Sequence, residues 1–234
     1  MMSVELIAEL ATSHGGDVDL ACDMVKAAAD NGAHTVKIQS YTLARLNPRD
    51  PQAAWLKQAH LDEAAHERII KACQRQRVQF LSTPFDVDAL LMLLRLNQSC
   101  IKVASSQSVW VLPNDMMSVR FYKSWAWGRQ VGPWAGQMDK HLAAIPLYPT
   151  PIEAVYAASL LDGWSDHTIG TTVCKHMISR GARIIEAHFC LPGKSRQMSW
   201  DKTPEQFREI RDWADQVQTM TTGVSQQFRE RWSA

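Results

Sequence analysis

The 234-residue chain has almost no net charge: 25 Lys and Arg stand against 24 Asp and Glu, giving +1 with neutral histidines. It therefore has no basic field to hold nucleic acid, and its aromatic residues do not interleave with basic runs. A nucleic-acid role is excluded. No apolar segment approaches the roughly 20 residues of a membrane-crossing helix. The N-terminus has no basic head before an apolar run, and Val4–Leu10 is too short for a signal core. Cysteine is sparse: Cys22, Cys73, Cys100, Cys174 and Cys190 stand far apart inside apolar segments, with no C-x-x-C pair. Buried thiols in a reducing compartment are expected. Neither G-x-x-x-x-G-K-[ST] nor G-x-G-x-x-G occurs, so nucleotide-binding folds of those kinds have no support. These absences leave a cytoplasmic globular protein of ordinary composition, 46% hydrophobic and 21% charged.

Apolar strands alternating with amphipathic helices are what the chain does contain. Val4–Leu10 reads as a strand, followed by Ser13-His14-Gly15-Gly16 and a helix capped at Asp17 or Asp19 that ends at Asn31-Gly32. His34–Gln39 is a second strand, and Ser40–Leu61 a connection without period. Asp62 caps a helix to about Gln76, Val78–Leu81 is strand three, Asp86 caps Val87–Leu96, and Cys100–Ser105 is strand four. The alternation predicts a parallel sheet covered by helices. The pattern then fails over Ser106–His141, which holds four of the nine Trp (Trp110, Trp125, Trp127, Trp134). Its best strand, Val119–Tyr122, carries Arg120 and is followed by Lys123. An irregular fifth strand, without a phosphate-binding hydroxyl, is expected there. Leu142–Tyr148, Gly163–His167 and Ile184–Leu191 are further strands, with helices over Ile152–Leu161, Gly170–Arg180 and from Pro204 to about Met220.

Seven visible strands and one suspect region predict a TIM (β/α)8-type barrel, incomplete or irregular around the fifth strand, in a single domain over 1–234. In such a barrel the site lies at the carboxyl ends of the strands. Those ends here carry Glu9, Lys37, Gln39, Thr83, Lys102, Ser105, Tyr148, Ser165, His167, Glu186 and His188. Lys is almost never buried without a partner. Lys37 and Lys102 therefore either bridge to Glu9 or Glu186, or clamp a phosphate or carboxylate with the hydroxyls of Thr83, Ser105 and Ser165. His167 and His188, beside Asp166 and Glu186, are a candidate pair of ligands for Mn, Zn, Fe or Co, water completing the sphere. His14 reads as a loop hydrogen-bonder.

Seven stretches in order resemble the sialic acid synthase family, which includes the legionaminate and pseudaminate synthases. They are Ile7-Ala8-Glu9 with His14-Gly15-Gly16, Val36–Gln39, Phe80–Phe85, Lys102–Ser105, Tyr148–Pro151, Trp164–Gly170 and Glu186–Phe189. The resemblance implies a TIM barrel that condenses phosphoenolpyruvate with an N-acylated amino-sugar aldehyde, with phosphate released by C–O cleavage. It implies a divalent metal, Mn or Mg, on His167 and His188. Lys37, Thr83, Lys102, Ser105 and Ser165 would hold phosphoenolpyruvate, Glu9 would orient water or move a proton, and Tyr148 would touch the sugar. Gln39 counts with the substrate-binding set, and Lys37 with the catalytic one. The partners expected are these two substrates, no nucleic acid and no membrane, with a homodimer the assembly open to the chain.

The middle of the chain departs from the family. Ser105-Ser106-Gln107 replaces Ser-Gly-Glu, so a sugar-holding carboxylate is lost, and the fifth-strand Ser-Thr-Gly-Met is absent. Ala187 replaces a Lys, Ser13 an Asn, and Arg196-Gln197-Met198 a Pro-Asp-His. The small antifreeze-like domain that often follows the barrel is not found. Lowered or absent activity follows as an expectation, with a non-catalytic barrel that keeps anion and metal binding as the alternative. A Schiff-base aldolase on Lys37 or Lys102 is the third reading.

Overall fold

The structure is a computed structural model, and it describes residues 3–107, 119–126, 139–158 and 160–222. Eight parallel strands close into a barrel in chain order: β1 (Glu5–Ala11), β2 (Thr35–Ser40), β3 (Gln79–Pro84), β4 (Cys100–Val103), β5 (Arg120–Ala126), β6 (Lys140–Ala144), β7 (Gly163–Asp166) and β8 (Ile184–His188). The helices are α1 (Val18–Asp30), α2 (Ala53–Gln58), α3 (Glu63–Gln76), α4 (Val87–Arg95), α5 (Thr172–Ser179) and α6 (Pro204–Thr222). Among the described residues, none is long and apolar enough to cross a membrane.

Helix starts follow local capping chemistry. Asp17, Asp62 and Asp86 accept from the backbone N–H of Leu20, Ala65 and Ala89, satisfying first-turn donors that lack helical partners. At α6, Thr203 Oγ1 accepts from Gln206 N while Thr203 N donates to Gln206 Oε1, a reciprocal box. The segment expected as a helix over Ile152–Leu161 is instead a 3-10 turn over Ile152–Ala157, and α2 appears inside the connection read as structureless.

Period two sorts the barrel interior into levels. Ile7, Leu81, Cys100, Tyr122, Leu142 and Ile184 pack together as an apolar floor. Two residues further along the same faces come Glu9, Thr83, Lys102, Ser124 and Glu186; His188 follows Glu186 at the rim. Intervening residues such as Leu6, Ala8, Val36, Phe80 and Trp164 face outward into the main core with Met24, Ile69, Leu93 and Phe207. Leu91, read as core, is 47% exposed. Gly163 lets β7 approach β8, because an added Cβ would collide with the Ile184 carbonyl.

The expectation of an irregular fifth strand is overturned. Residues 120–126 pair in regular parallel register with β4 (Lys102↔Tyr122) and β6 (Ser124↔Leu142), and Phe121 to Ser124 are buried. The charges that obscured the pattern are accommodated without breaking it. Arg120 opens the strand and is exposed, and Lys123 donates to the carbonyls of Ala104 and Gln107. Residues 108–118 and 127–138, with Trp110, Trp127 and Trp134, lie outside the described residues.

Candidate active site

At the carboxyl ends of the strands, four buried charges meet. Lys102 Nζ donates to both oxygens of Glu186, at 2.8 and 2.7 Å. Lys37 pairs with Glu9, lies 3.8 Å from Glu186 Oε2 and donates to Thr83 Oγ1 at 3.2 Å. Ser165 donates to Glu186 Oε1 at 2.7 Å. All six side chains are at most 5% exposed. β-Register explains the meeting: Glu9 stands opposite both Lys37 and His188, and Ser165 opposite Glu186. Of the two readings of the lysines, the bridge to Glu9 and Glu186 is what the folded chain itself makes. Two ammoniums and two carboxylates balance, as burial at this depth demands.

Electrostatics distinguish the members. Burial alone would raise Glu186, but Lys102 and Lys37 beside it, with the donated hydrogen bonds, hold its carboxyl well below the usual range. Burial pushes the Lys37 ammonium down to about 7 against the pull of Glu186, with Lys102 adding repulsion.

Above the quartet stand the imidazoles. The rings of His167 and His188 are 5.5 Å apart, and Tyr148 lies 4.1 Å from the first and 6.2 Å from the second, centre to centre. Burial lowers both histidines, His188 also through His167 and Lys37, so both are neutral. His167 Nδ1 is 3.1 Å from the Ile145 carbonyl. A carbonyl only accepts, so Nδ1 carries the proton and Nε2 keeps its lone pair. Two neutral imidazoles fit a divalent cation's donor set. The carboxylates expected beside them are otherwise engaged. Glu186 is in the quartet, and Asp166 faces away, bound by Lys202 Nζ at 2.9 Å and by Trp164 and Thr168. Among the described residues, no group of three or more His, Cys, Asp or Glu is arranged to hold an ion.

Other expected residues are placed differently. Tyr148 does not end β6; it lies four residues beyond, half exposed, and still reaches the mouth. Ser105 sits in the turn after β4. Gln107, where the family's carboxylate was expected, folds its amide back onto Ala104 N and the Pro84 carbonyl. His14 is the loop hydrogen-bonder expected, accepting from Gly16 N.

Sequence reasoning missed three features. Ser124, on the inward face of β5, is 3% exposed and its Oγ has no hydrogen-bond partner among the described residues. Lys202 is fully buried and donates to the Thr168 and Trp200 carbonyls besides Asp166, joining the loop after β8 to the end of β7. Trp200 and Asp201, placed by that link, line the mouth with Tyr148 and His188. Only Lys202 gave a signal, a lysine two residues before a helix start. Its partner is 36 positions away.

A closed eight-stranded parallel barrel with its polar groups at one mouth defines a TIM-barrel enzyme class. Residues 24–113 and 144–226 match the NeuB family. The chain belongs to that family, as a sialic acid synthase-like enzyme. It is 27% identical over 231 residues to the N,N'-diacetyllegionaminic acid synthase of Campylobacter jejuni, covering 82% of this chain and 69% of that one. It is 26% identical to a pseudaminic acid synthase of Campylobacter jejuni, covering 92% and 73%. The fold matches the N-acetylneuraminic acid synthetase of Leptospira borgpetersenii with a TM-score of 0.79 at 20% identity, over 99% of this chain and 93% of that one.

Proposed function

We propose that the protein condenses phosphoenolpyruvate with an N-acylated amino-sugar aldehyde, releasing phosphate and forming a sialic-acid-like nonulosonate. The observation that carries this reading is the convergence of Lys37, Lys102, Glu9 and Glu186 beneath His167 and His188, in a NeuB-family barrel. The dianionic substrate would exchange with the carboxylates for the ammoniums of Lys37 and Lys102. The hydroxyls of Thr83, Ser165 and Ser105 would donate to its oxygens, and so would the otherwise unpaired Ser124. Glu9, freed from Lys37, would orient the water that adds to the carbon bearing the phosphate, and accept its proton. Gln39 and Tyr148, nearer the rim, would contact the sugar.

A divalent metal on His167 and His188, Mn or Mg, would polarise the sugar aldehyde as a Lewis acid when bound. The chain's part is to present the Nε2 of His167 by holding Nδ1 on Ile145, and to keep both rings neutral through burial.

Phosphate release from phosphoenolpyruvate tests the reading, with N-acetylmannosamine and related sugars, and with Mn, with Mg or with chelator. Release that needs both a sugar and a divalent ion is expected. Anion binding without release from any sugar would favour the non-catalytic barrel. The depressed Lys37 ammonium is the one observation behind a Schiff-base aldolase. Borohydride trapping of a keto acid on Lys37 would establish that reading instead.

A further inference from the structure

The cavity at the mouth, about 530 Å³, is walled on the side opposite Tyr148 by Arg45, Asn47, Asp50, Gln52 and Arg196. Its charged groups are engaged, with one exception. Arg45 turns outward to Asp88, 3.7 Å away. Asp50 accepts from Gln52 N at 2.8 Å. Asp201 accepts from Met198 N at 2.8 Å and its other oxygen lies 3.8 Å from His188 Nδ1. Arg196 alone of these has no carboxylate within salt-bridge distance among the described residues; its guanidinium carbon lies over the Trp55 ring, 4.5 Å from the centroid.

That stack is built into the fold. Trp55 Nε1 donates to Thr12 Oγ1 at 3.0 Å, and Arg196 N donates to the Ser13 carbonyl at 2.9 Å. Both partners are thus tied to the loop after β1, and Gly16 lets that loop pass under α2, where a Cβ would collide with the Gln58 carbonyl. A guanidinium held over an aromatic face keeps its N–H edge for a planar or tetrahedral oxyanion. The barrel interior has its own charge-balanced anion machinery, so this cation serves something that reaches the rim.

We propose that the cavity takes an acceptor sugar with an oxyanion, a phosphate ester or a carboxylate, at the end remote from its aldehyde, gripped by Arg196 on Trp55. The word acceptor rests on the synthase reading; the anion preference does not. Calorimetry on the full chain, without turnover, compares three probes: N-acetylmannosamine, its 6-phosphate and the corresponding uronic acid. One or both anionic sugars should bind at least about tenfold tighter than the neutral one, as for a charge-assisted bond. The two anionic arms decide between phosphate and carboxylate. R196Q should abolish the preference, and R196K should keep part of it. Equal affinity for all three sugars, no binding of any, or a preference that survives in R196Q overturns the proposal. Phosphate release with a neutral sugar that binds as well as the anionic ones would sink this inference and leave the synthase reading. Anionic preference without release would do the reverse.

Discussion

Strands β1, β2, β4 and β8 bury four charged side chains that neutralise one another, whereas β5 buries Lys123 against two carbonyls and leaves Ser124 Oγ unpartnered. Both regions take polar groups out of water at comparable depth. In the first, each charge has an opposite charge, so removing any member strands another. In the second, Lys123 holds the Ala104–Gln107 turn through backbone, and burial pushes its ammonium down to about 8, with Lys102 adding repulsion. The quartet is therefore a fragile, interdependent unit, while β5 is a tolerant one.

The largest effect expected from that difference is at Glu186. Glu186→Ala leaves Lys102, which donates to both its oxygens, without a buried anion. Breaking such a pair typically costs about 3–5 kcal/mol, read as a lowered denaturant midpoint. Lys123→Met, which replaces an ammonium bound only to carbonyls with an apolar chain of similar length, should cost about 1 kcal/mol or less. Equal losses at both positions would erase the distinction.

Ligand binding sharpens it next. Lys102→Ala should weaken phosphoenolpyruvate binding about tenfold or more, the loss of one charge-assisted bond of about 1.5–3 kcal/mol. The fold should persist, because Glu186 keeps Ser165 and a neighbouring Lys37. An unchanged dissociation constant would make Lys102 a purely structural partner of Glu186.

Why one region was legible and the other was not follows from where each partner sits. In β8, Ile184, Glu186 and His188 alternate on one face, so an apolar strand ending in a carboxylate and an imidazole announces itself. β1, β2, β3 and β7 repeat the pattern with Glu9, Lys37, Thr83 and Ser165. β5 reads Arg-Phe-Tyr-Lys-Ser-Trp-Ala, with both faces buried and a charge in the middle. Its lysine is tolerable only because the turn after β4 supplies carbonyls, and no local pattern encodes that. Tyr148 was assigned to a strand because apolar residues continue past Ala144, yet β6 stops there. The Lys202–Asp166 link was invisible for the same reason as Lys123: its chemistry is complete only across the fold.

Acid should act on the outer packing as well as on the mouth. Burial lowers His14 to about 4, and lowers His34 and His66 below 6.5. His66 is fully buried and contacts Ser40 Oγ through Nε2 at 2.8 Å. Below 6.5 the unfolded chain takes up protons that these folded imidazoles refuse. Their stabilisation is therefore present above 6.5 and is lost as pH falls toward their folded values. The melting temperature should drop between about pH 7 and pH 5, and less steeply in His66→Gln if that variant folds. A flat profile would mean that these rings titrate in the fold as they do in water.

The smallest and most diagnostic change is Ser124→Ala. Its hydroxyl is buried, faces inward in register with Leu142, and has no hydrogen-bond partner among the described residues. Leaving such a group unsatisfied costs about 1–3 kcal/mol. Removing it should therefore leave stability unchanged or raise it by about 1 kcal/mol. If the hydroxyl waits for a substrate oxygen, the same substitution should weaken phosphoenolpyruvate binding several-fold, since a neutral hydrogen bond is worth about 0.5–1.5 kcal/mol. A gain in stability with a loss of affinity is the signature of a group kept unpaired for a ligand. Lost stability with unchanged affinity would instead place Ser124 among the structural groups of β5. The anion machinery would then lie wholly with the other strand ends.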